Sequence, residues 1–572
     1  VIRLLSWGLL LAISTLGSPA QAQTATAAAT AVAATLPETL SARQADNLAA
    51  LGQVWGFLKY FHPAVAAGQR DWDAELRRQL PRVLNCRSGA ERSRVLSAWV
   101  SSLGPVPPCP GCAAPPARPV QQTTDLRWAE NRRRFSAPLR RQLAFVYANR
   151  YQGEPYYATK VGPGNPGFAH EEAYADQPCP PAELRVLALC RYWNLVQYYY
   201  PYKYTLTEDW ARVLPELLPR FVGANTPLAY RHAALALFTR VQDGHARFYP
   251  PDPLLEAERG EYQVAASVQF LDEQAVVSGV RHDARVPASP LAPGDVITHY
   301  AGTAVAELLR QRLPETPGSN RAAQLHTIAQ SLLFSPVPQV AVQVLRAGQP
   351  LQLTVPCVKV GAVPPAAPAA ADSMYRLLTP EVGYIDMARI TRAKLPTIMR
   401  AFAHTKGIVI DQRNYPGEFV SWLLPTYFLA RPAAFVKCTT FDPACPGRFS
   451  WMPVDTLRAV GPAQAYQGRV VVLLNESSRS QAEFTAMGLQ ASGRCTLLGS
   501  QTAGADGDVS RIVLPGGLKT IFTGIGVYYP DGRETQHIGL VPDVPVRPTI
   551  AGLRAGRDEL RERAVQFILT GS

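Results

Sequence analysis

Two stretches of this chain carry the same aromatic and proline signature, 138 residues apart. Trp55, Tyr60, Phe61, Pro63, Trp72, Leu76, Leu80 and Pro81 recur as Trp193, Tyr198, Tyr199, Pro201, Trp210, Leu214, Leu218 and Pro219. Apolar residues three and four apart place each copy on amphipathic helices, with aromatics packed where the chain turns at proline. Two copies fall short of the three or more units that a solenoid needs, so a duplicated helical unit is expected. The copies diverge at one informative place. The second runs into Asp243-Gly244-His245, where the first has Pro105-Val106-Pro107. Between them, 105–180 is rich in Pro and Gly, and the Arg-rich 132–142 reads as a solvated face.

The rest of the chain must hold further domains, because 572 residues exceed the ~150 of a typical domain about fourfold. With 47% hydrophobic and 18% charged residues, sizeable cores are expected and a disordered polymer is excluded. The 51 prolines exclude long uninterrupted helical arrays. A net charge of +13 favours acidic partners or surfaces, but no segment resembles a nucleic-acid recognition module. Residues 1–22 read as a secretory signal: Arg3, an apolar run and Ala20-Gln21-Ala22 as cleavage site. Residues 23–36 read as a flexible leader. No later segment is apolar enough to span a membrane, so an exported, soluble mature form is expected.

Nine cysteines in an exported chain permit disulfides, with at least one left unpaired. Cys109-Pro-Gly-Cys112 has no second pair to build a zinc site and does not open a helix after a strand, so a structural disulfide is expected. Cys438 and Cys445 bracket a Pro-containing loop that a second disulfide could close. None of the cysteines reads as catalytic, and no metal or organic cofactor is implied.

After the second copy the pattern turns to short strands, 264–270 and 275–280, then Leu291-Ala-Pro-Gly-Asp-Val-Ile-Thr298, a helix over 304–312 and a hairpin of 340–346 with 351–355. The L-x-P-G-D-x-I turn followed by Ala301-Gly302-Thr303 resembles a PDZ domain, which implies recognition of extended peptide at a sheet edge. A Pro/Ala linker follows at 361–372. Beyond it, apolar runs at 382–387, 407–411, 470–474 and 496–499 read as buried strands alternating with helices such as 481–491, an α/β pattern. A last helix is expected over 557–569.

The α/β region carries the chemistry. Ile408-Val-Ile-Asp411-Gln-Arg413-Asn414-Tyr-Pro-Gly417 is a strand ending in a polar turn, and Asn475-Glu-Ser-Ser-Arg-Ser480-Gln-Ala-Glu483 follows another strand and opens a helix. Orphan N–H groups at such a helix start stabilise an oxyanion beside a serine nucleophile. Read from the residues alone, Ser480 is as readily a plain N-cap. These motifs, with Thr502-Ala-Gly504, Tyr528-Tyr-Pro-Asp-Gly-Arg533 and Gly539-Leu-Val-Pro-Asp543, come in the order of the carboxyl-terminal processing (tail-specific) serine peptidases, which the chain resembles over roughly 300 residues. A multidomain α+β protein is expected: the residues give a duplicated helical region over 37–250 and a C-terminal helix in 551–572, and the resemblance implies a PDZ-like domain over 258–360 and a ClpP/crotonase-like serine peptidase domain over 373–550. The resemblance also implies Ser480 as nucleophile, with Gly417 and the Gln481 amide at the oxyanion hole.

One position departs from that pattern. Where the processing peptidases carry a general-base lysine, 25 residues after the nucleophile, this chain has Ala505. Lys519 is a poor substitute. The tricorn-like branch takes a histidine from just before the PDZ domain, and His245 stands there; imidazole, with a usual pKa of ~6.5, suits a base near neutrality. The orienting third group falls to Gln536 or Glu534, which share a strand face, and His537 points to the other. The expected activity is acyl transfer on polypeptide substrates. The alternative is a catalytically silent peptide-binding protein of the same fold.

Overall fold

The computed structural model describes residues 36–283, 285–362 and 374–571. The expected signal segment and nearly all of the leader and linker lie outside these residues. Leu36–Ser572 form one compact unit, in which four apolar clusters hold the layers together.

The shared signature marks two helical corners. Helices Ala42–Phe61 and Trp72–Leu84 meet at the first, Ala182–Tyr199 and Trp210–Gly223 at the second. The Trp55 indole donates to the Trp72 carbonyl at 2.8 Å, and Trp72 returns a bond to the Trp55 carbonyl at 3.0 Å. Trp193 and Trp210 make the same exchange at 2.8 and 3.0 Å. Each buried N–H thereby meets a carbonyl, worth about 1 kcal/mol per bond, while the ring fills the corner. The two long helices touch at Gly52 and Gly56, where an added Cβ would stand 2.5 Å from the Cys190 Sγ and 1.9 Å from the Asn194 side chain. Asn194 uses that space to donate to the Gly52 carbonyl at 2.9 Å.

This helical region is welded to the rest of the chain. Its core runs on into Phe441, Phe449, Leu518 and Phe522, and strand Val120–Gln122 pairs antiparallel with Phe449–Trp451. The segment between the copies is therefore built into the fold. Helix Ala137–Ala148 buries Leu139, Leu143 and Val146. Of the arginines expected to be solvated, Arg132 and Arg133 are exposed, but Arg134 pairs with Asp46 at 3.0 Å.

The middle region is an antiparallel sheet running Ala266–Leu271, Gln274–Val280, Val296–Tyr300, Gln339–Arg346, Gln349–Lys359, Tyr262–Val264 and Phe334–Ser335, closed by helices Val305–Arg312 and Arg321–Leu332. Its L-x-P-G-D turn is held by Asp295, which accepts the Ala292 N–H at 2.8 Å and the Arg346 guanidinium at 2.7 Å. Gly294 in that turn has φ +82°, a left-handed conformation that glycine adopts without strain.

The last region centres on strands Val382–Asp386, Gly407–Asp411, Arg469–Leu474, Cys495–Gly499 and Val544–Pro545, all parallel, with Tyr375–Thr379 antiparallel at one edge. Successive side chains of a strand face opposite sides. Ile408, Ile410, Val470 and Val472 accordingly join one core layer, with Ala486 and Leu489 of helix Gln481–Gln490. Val409, Val471 and Leu473 join the other, against Leu560, Ala564 and Ile568 of helix Glu559–Thr570. Both faces are covered, which is why these strands read as unbroken apolar runs.

The cysteines divide the two expectations. Cys109 and Cys112 form a disulfide, but Cys438 and Cys445 are both free. Cys438 sits on strand Ala433–Phe441, where it pairs with Val527 of strand Val527–Tyr528. Cys445 lies in the turn beyond, buried beside Thr124 and Tyr147 at 3.6 and 3.7 Å. Strand register sends the two thiols to different surroundings.

Candidate active site

Strand Arg469–Leu474 delivers the chain to a turn that ends at Ser480, and helix Gln481–Gln490 starts immediately after. Ser480 has φ 56° and ψ −119°, a backbone conformation that costs a non-glycine residue about 1–3 kcal/mol and clusters at functional sites. Glu483 holds it. The Ser480 and Ala505 N–H groups donate to one Glu483 oxygen, each at 3.1 Å; Gly504 N–H, at 2.8 Å, and the Thr502 hydroxyl donate to the other. Burial pushes the Glu483 carboxyl up, and these bonds oppose it. The Ser480 N–H also reaches the Ala505 carbonyl at 3.0 Å, so the serine and the 502–505 turn are one hydrogen-bonded unit.

His245 comes to this unit from the other end of the chain. The 243–249 loop follows helix Pro227–Thr239 and runs beside strand Leu518–Thr523: Tyr249 N–H donates to the Lys519 carbonyl at 3.1 Å and the Thr520 hydroxyl to the Arg247 carbonyl at 2.8 Å. Gly244 makes the approach possible, since an added Cβ there would lie 3.0 Å from the Ala505 Cβ. A lysine at 505, where the processing peptidases carry theirs, would contend with the histidine's own loop. Small residues at 244 and 505 and a histidine at 245 therefore belong together.

The imidazole is oriented by two residues. His245 Nδ1 lies 2.8 Å from the Thr523 hydroxyl, and that hydroxyl donates to Asp243 Oδ1 at 3.0 Å. The Thr523 oxygen thus accepts from Nδ1–H, which leaves Nε2 as the basic nitrogen. Asp243 is fully buried and also accepts the His245 N–H at 3.0 Å and the Thr523 N–H at 2.7 Å. Burial pulls the imidazole down to about 4; Asp243 opposes this, and Arg247 and Arg479 add to it. His245 is neutral at physiological pH. It lines the same cavity as Ser480, a cleft of about 830 Å³ whose lining includes Asp506, Gly507, Tyr415, Phe419, Trp422 and Phe484.

The other sequence candidates fall in different places. Glu534 accepts the Tyr204 hydroxyl at 2.6 Å and does not line the cavity. Gln536 is fully buried, with its amide turned to Asp243 Oδ1 at 3.4 Å and the Tyr200 hydroxyl at 3.2 Å. Neither is hydrogen-bonded to the imidazole, whose Nδ1 meets the Thr523 hydroxyl. His537 bonds Thr205 at 2.7 Å and Lys519 is exposed. Gln481 opens the helix, where the backbone N–H has no partner within the helix itself, and its side chain donates to the Glu418 carbonyl at 2.6 Å. Gly417 departs from expectation. Its N–H is taken by the Met387 carbonyl at 2.9 Å, and an added Cβ would stand 2.8 Å from the Ala388 carbonyl oxygen. Close packing of this turn against 387–390 commits the amide.

Asp243 carried a signal in the sequence, because it diverges from the first repeat copy at the same place as His245. Thr523 carried none; it is one residue of an ordinary strand until the hairpin Val509–Leu514 with Leu518–Thr523 brings it beside the histidine loop.

A strained serine at a helix start on a parallel sheet shares one cavity with a buried histidine from the loop after helix Pro227–Thr239, which defines the class: an α/β domain with a serine and a histidine in one cleft. Residues 381–546 match the model of peptidase family S41. The structure of mature CPAF complexed with lactacystin superposes with a TM-score of 0.54 at 14% identity, over 68% of this chain and 99% of that one; the two share a fold. The photosystem II D1 C-terminal processing protease gives a TM-score of 0.38 at 19% identity, over 65% of this chain and 97% of that one. The tricorn protease gives 0.32 at 14% identity, over 67% and 36%. No curated protein matches the chain.

Proposed function

We propose that the chain is an exported serine peptidase that cleaves polypeptides through an acyl-enzyme on Ser480. The observation that carries this reading is the pairing, in one cavity, of strained Ser480 with a neutral His245 held by Thr523 and Asp243. Ser480 Oγ attacks the substrate carbonyl while His245 Nε2 takes its proton. Thr523 and Asp243 hold the imidazolium that forms, with the carboxylate supplying the opposing charge. The Gln481 N–H at the helix start donates to the oxyanion; Gly417 adds a second donor once its N–H leaves Met387. His245 then protonates the leaving amine, and water repeats the sequence on the acyl-enzyme.

A histidine base from ahead of the middle domain, with alanine at 505, favours the tricorn-like branch of the resemblance over the lysine-dyad one. The middle domain supports a PDZ-like role, because strand Ala266–Leu271 ends the sheet order and offers an edge to an extended peptide. Two further readings are proposed on the same footing. The matching signatures and reciprocal tryptophan bonds support duplication of the helical region. The Cys109–Cys112 disulfide and the secretory pattern of 1–22 support export, and no helix among the described residues is long and apolar enough to cross a membrane.

The committed Gly417 amide favours the alternative, a silent peptide-binding protein. A fluorophosphonate probe with an unstructured protein substrate separates the two. Wild type is expected to be labelled and to cleave the substrate, and Ser480→Ala to do neither; equal labelling of both with the substrate intact would leave only the binding role.

A further inference from the structure

The cavity collects guanidinium groups that form no ion pair, although buried Glu483 and Asp243 act on Arg479, and Asp243 on Arg247, from a distance. Arg479 precedes Ser480, Arg247 follows His245 by two residues, and Arg511 lies on the hairpin strand Val509–Leu514; all three line the cavity. Among the described residues none of the three forms an ion pair, whereas Arg413 bonds Asp411 and Asp558, and Arg231 bonds Asp252. The one side-chain hydrogen bond of Arg247 goes to the Gly244 carbonyl at 3.0 Å. Arg247 and Arg511 share the Tyr249 ring, at 6.0 and 5.2 Å from its centroid, a contact that steers the groups without cancelling charge.

The acids of the cavity do not fill that role. Asp508 takes the Asn165 amide at 2.5 Å and the Val509 N–H at 2.9 Å. Asp506 is buried, and that burial, with Glu483 nearby, holds its carboxyl well above the usual range. Asp455 is exposed at the rim. Burial also holds the Arg479 guanidinium below its ordinary value, and burial together with Arg479 does the same for Arg247. Cations that are desolvated, crowded together and unpaired are stabilised by an incoming anion, and a guanidinium fork matches a carboxylate in two parallel bonds.

We propose that Arg479, with Arg247 and Arg511, binds a carboxylate of the substrate close to the scissile bond. The inference rests on the peptidase reading of the site. That carboxylate is either the α-carboxylate of a chain end or the side chain of an Asp or Glu flanking the cut. Either places the negative group beside Ser480 and makes a charged peptide a better substrate than its neutral isostere.

Two matched peptide pairs test this: one ending in a free acid or an amide, the other carrying Glu or Gln at each position flanking the cut. In wild type, kcat/KM is expected to favour the acid member of at least one pair by about 10- to 100-fold, the scale of a charge-assisted bond. Which pair responds identifies the source. Arg479→Gln should bring that ratio to about one, and Arg479→Lys should restore part of it, since lysine keeps the charge but loses the fork. Arg511→Gln, at an exposed position, should also lower the ratio and guards against a misfolded Arg479 variant. Ratios near one for both pairs in wild type, or a preference surviving Arg479→Gln and Arg511→Gln, would overturn the proposal while leaving the peptidase reading intact. Calorimetry of the same pairs on Ser480→Ala reads the preference without turnover. A carboxylate preference there with no hydrolysis by wild type would defeat the peptidase reading alone.

Discussion

In the proposed mechanism the chemistry turns on Thr523, because its hydroxyl stands between the imidazole and the Asp243 carboxylate. His245 Nδ1 is 3.7 Å from Asp243 Oδ1 but 2.8 Å from the Thr523 hydroxyl. The carboxylate therefore acts on the histidine mainly through a neutral hydroxyl. Thr523→Val keeps the shape and removes the link; kcat is expected to fall about 10- to 100-fold with KM little changed, and Thr523→Ser should recover most of the loss. Asp243→Asn should cost more, about 10³-fold, because an amide fails to stabilise the imidazolium. Steady-state kinetics on one peptide substrate reads all three. At this scale the sequence was half legible. Ser480 and His245 stand out by motif and by divergence between repeat copies, but the histidine's partner lies 278 positions away on a strand with no signature of its own.

Elements were more legible than residues, for a physical reason. The strand expected at 407–411 is found as Gly407–Asp411, and the helix expected at 481–491 as Gln481–Gln490, because runs buried on both faces and helix starts leave local patterns. What local pattern does not encode is which way a side chain leaves its element. That is why Cys438 and Cys445 do not meet, and why the Gly417 amide is spent on Met387. The D-x-R motif is a case where an element-level role emerges from the structure. Arg413 bonds Asp411 at 2.6 Å and Asp558 at 2.8 Å, tying the end of a central strand to the start of the last helix. Tyr384 adds a bond to Asp411 at 2.9 Å. Arg413→Ala leaves Asp411 without its cation and Asp558 with only the longer 3.8 Å pair to Arg561, and is expected to cost about 3 kcal/mol of stability in denaturant unfolding. A loss below about 0.5 kcal/mol would show that the tie is dispensable.

Across the whole molecule, the candidate site draws residues from distant regions of the chain. The helical region contributes His245 and Asp243, and the parallel sheet contributes Ser480. The 509–523 hairpin holds Thr523 between them. The middle domain also reaches in: Ser319 accepts the Gly244 N–H at 2.8 Å, and Asn320 donates to the Thr502 carbonyl at 2.9 Å. Burial at this junction gives the histidine its low pKa, and the sign of the effect sets a pH range. As the proposed base, His245 works as neutral imidazole, which persists until pH falls to about 4. The acid limb of kcat/KM is therefore expected near 4 and not near the ~6.5 of an exposed histidine. The most direct measurement is the rate constant for phosphonylation of Ser480, followed against pH in wild type, His245→Ala and Lys519→Ala. Wild type and Lys519→Ala should react alike with an acid limb near 4, and His245→Ala should be slower by about 10²-fold or more. Undiminished labelling of His245→Ala, or its loss in Lys519→Ala, would contradict the account.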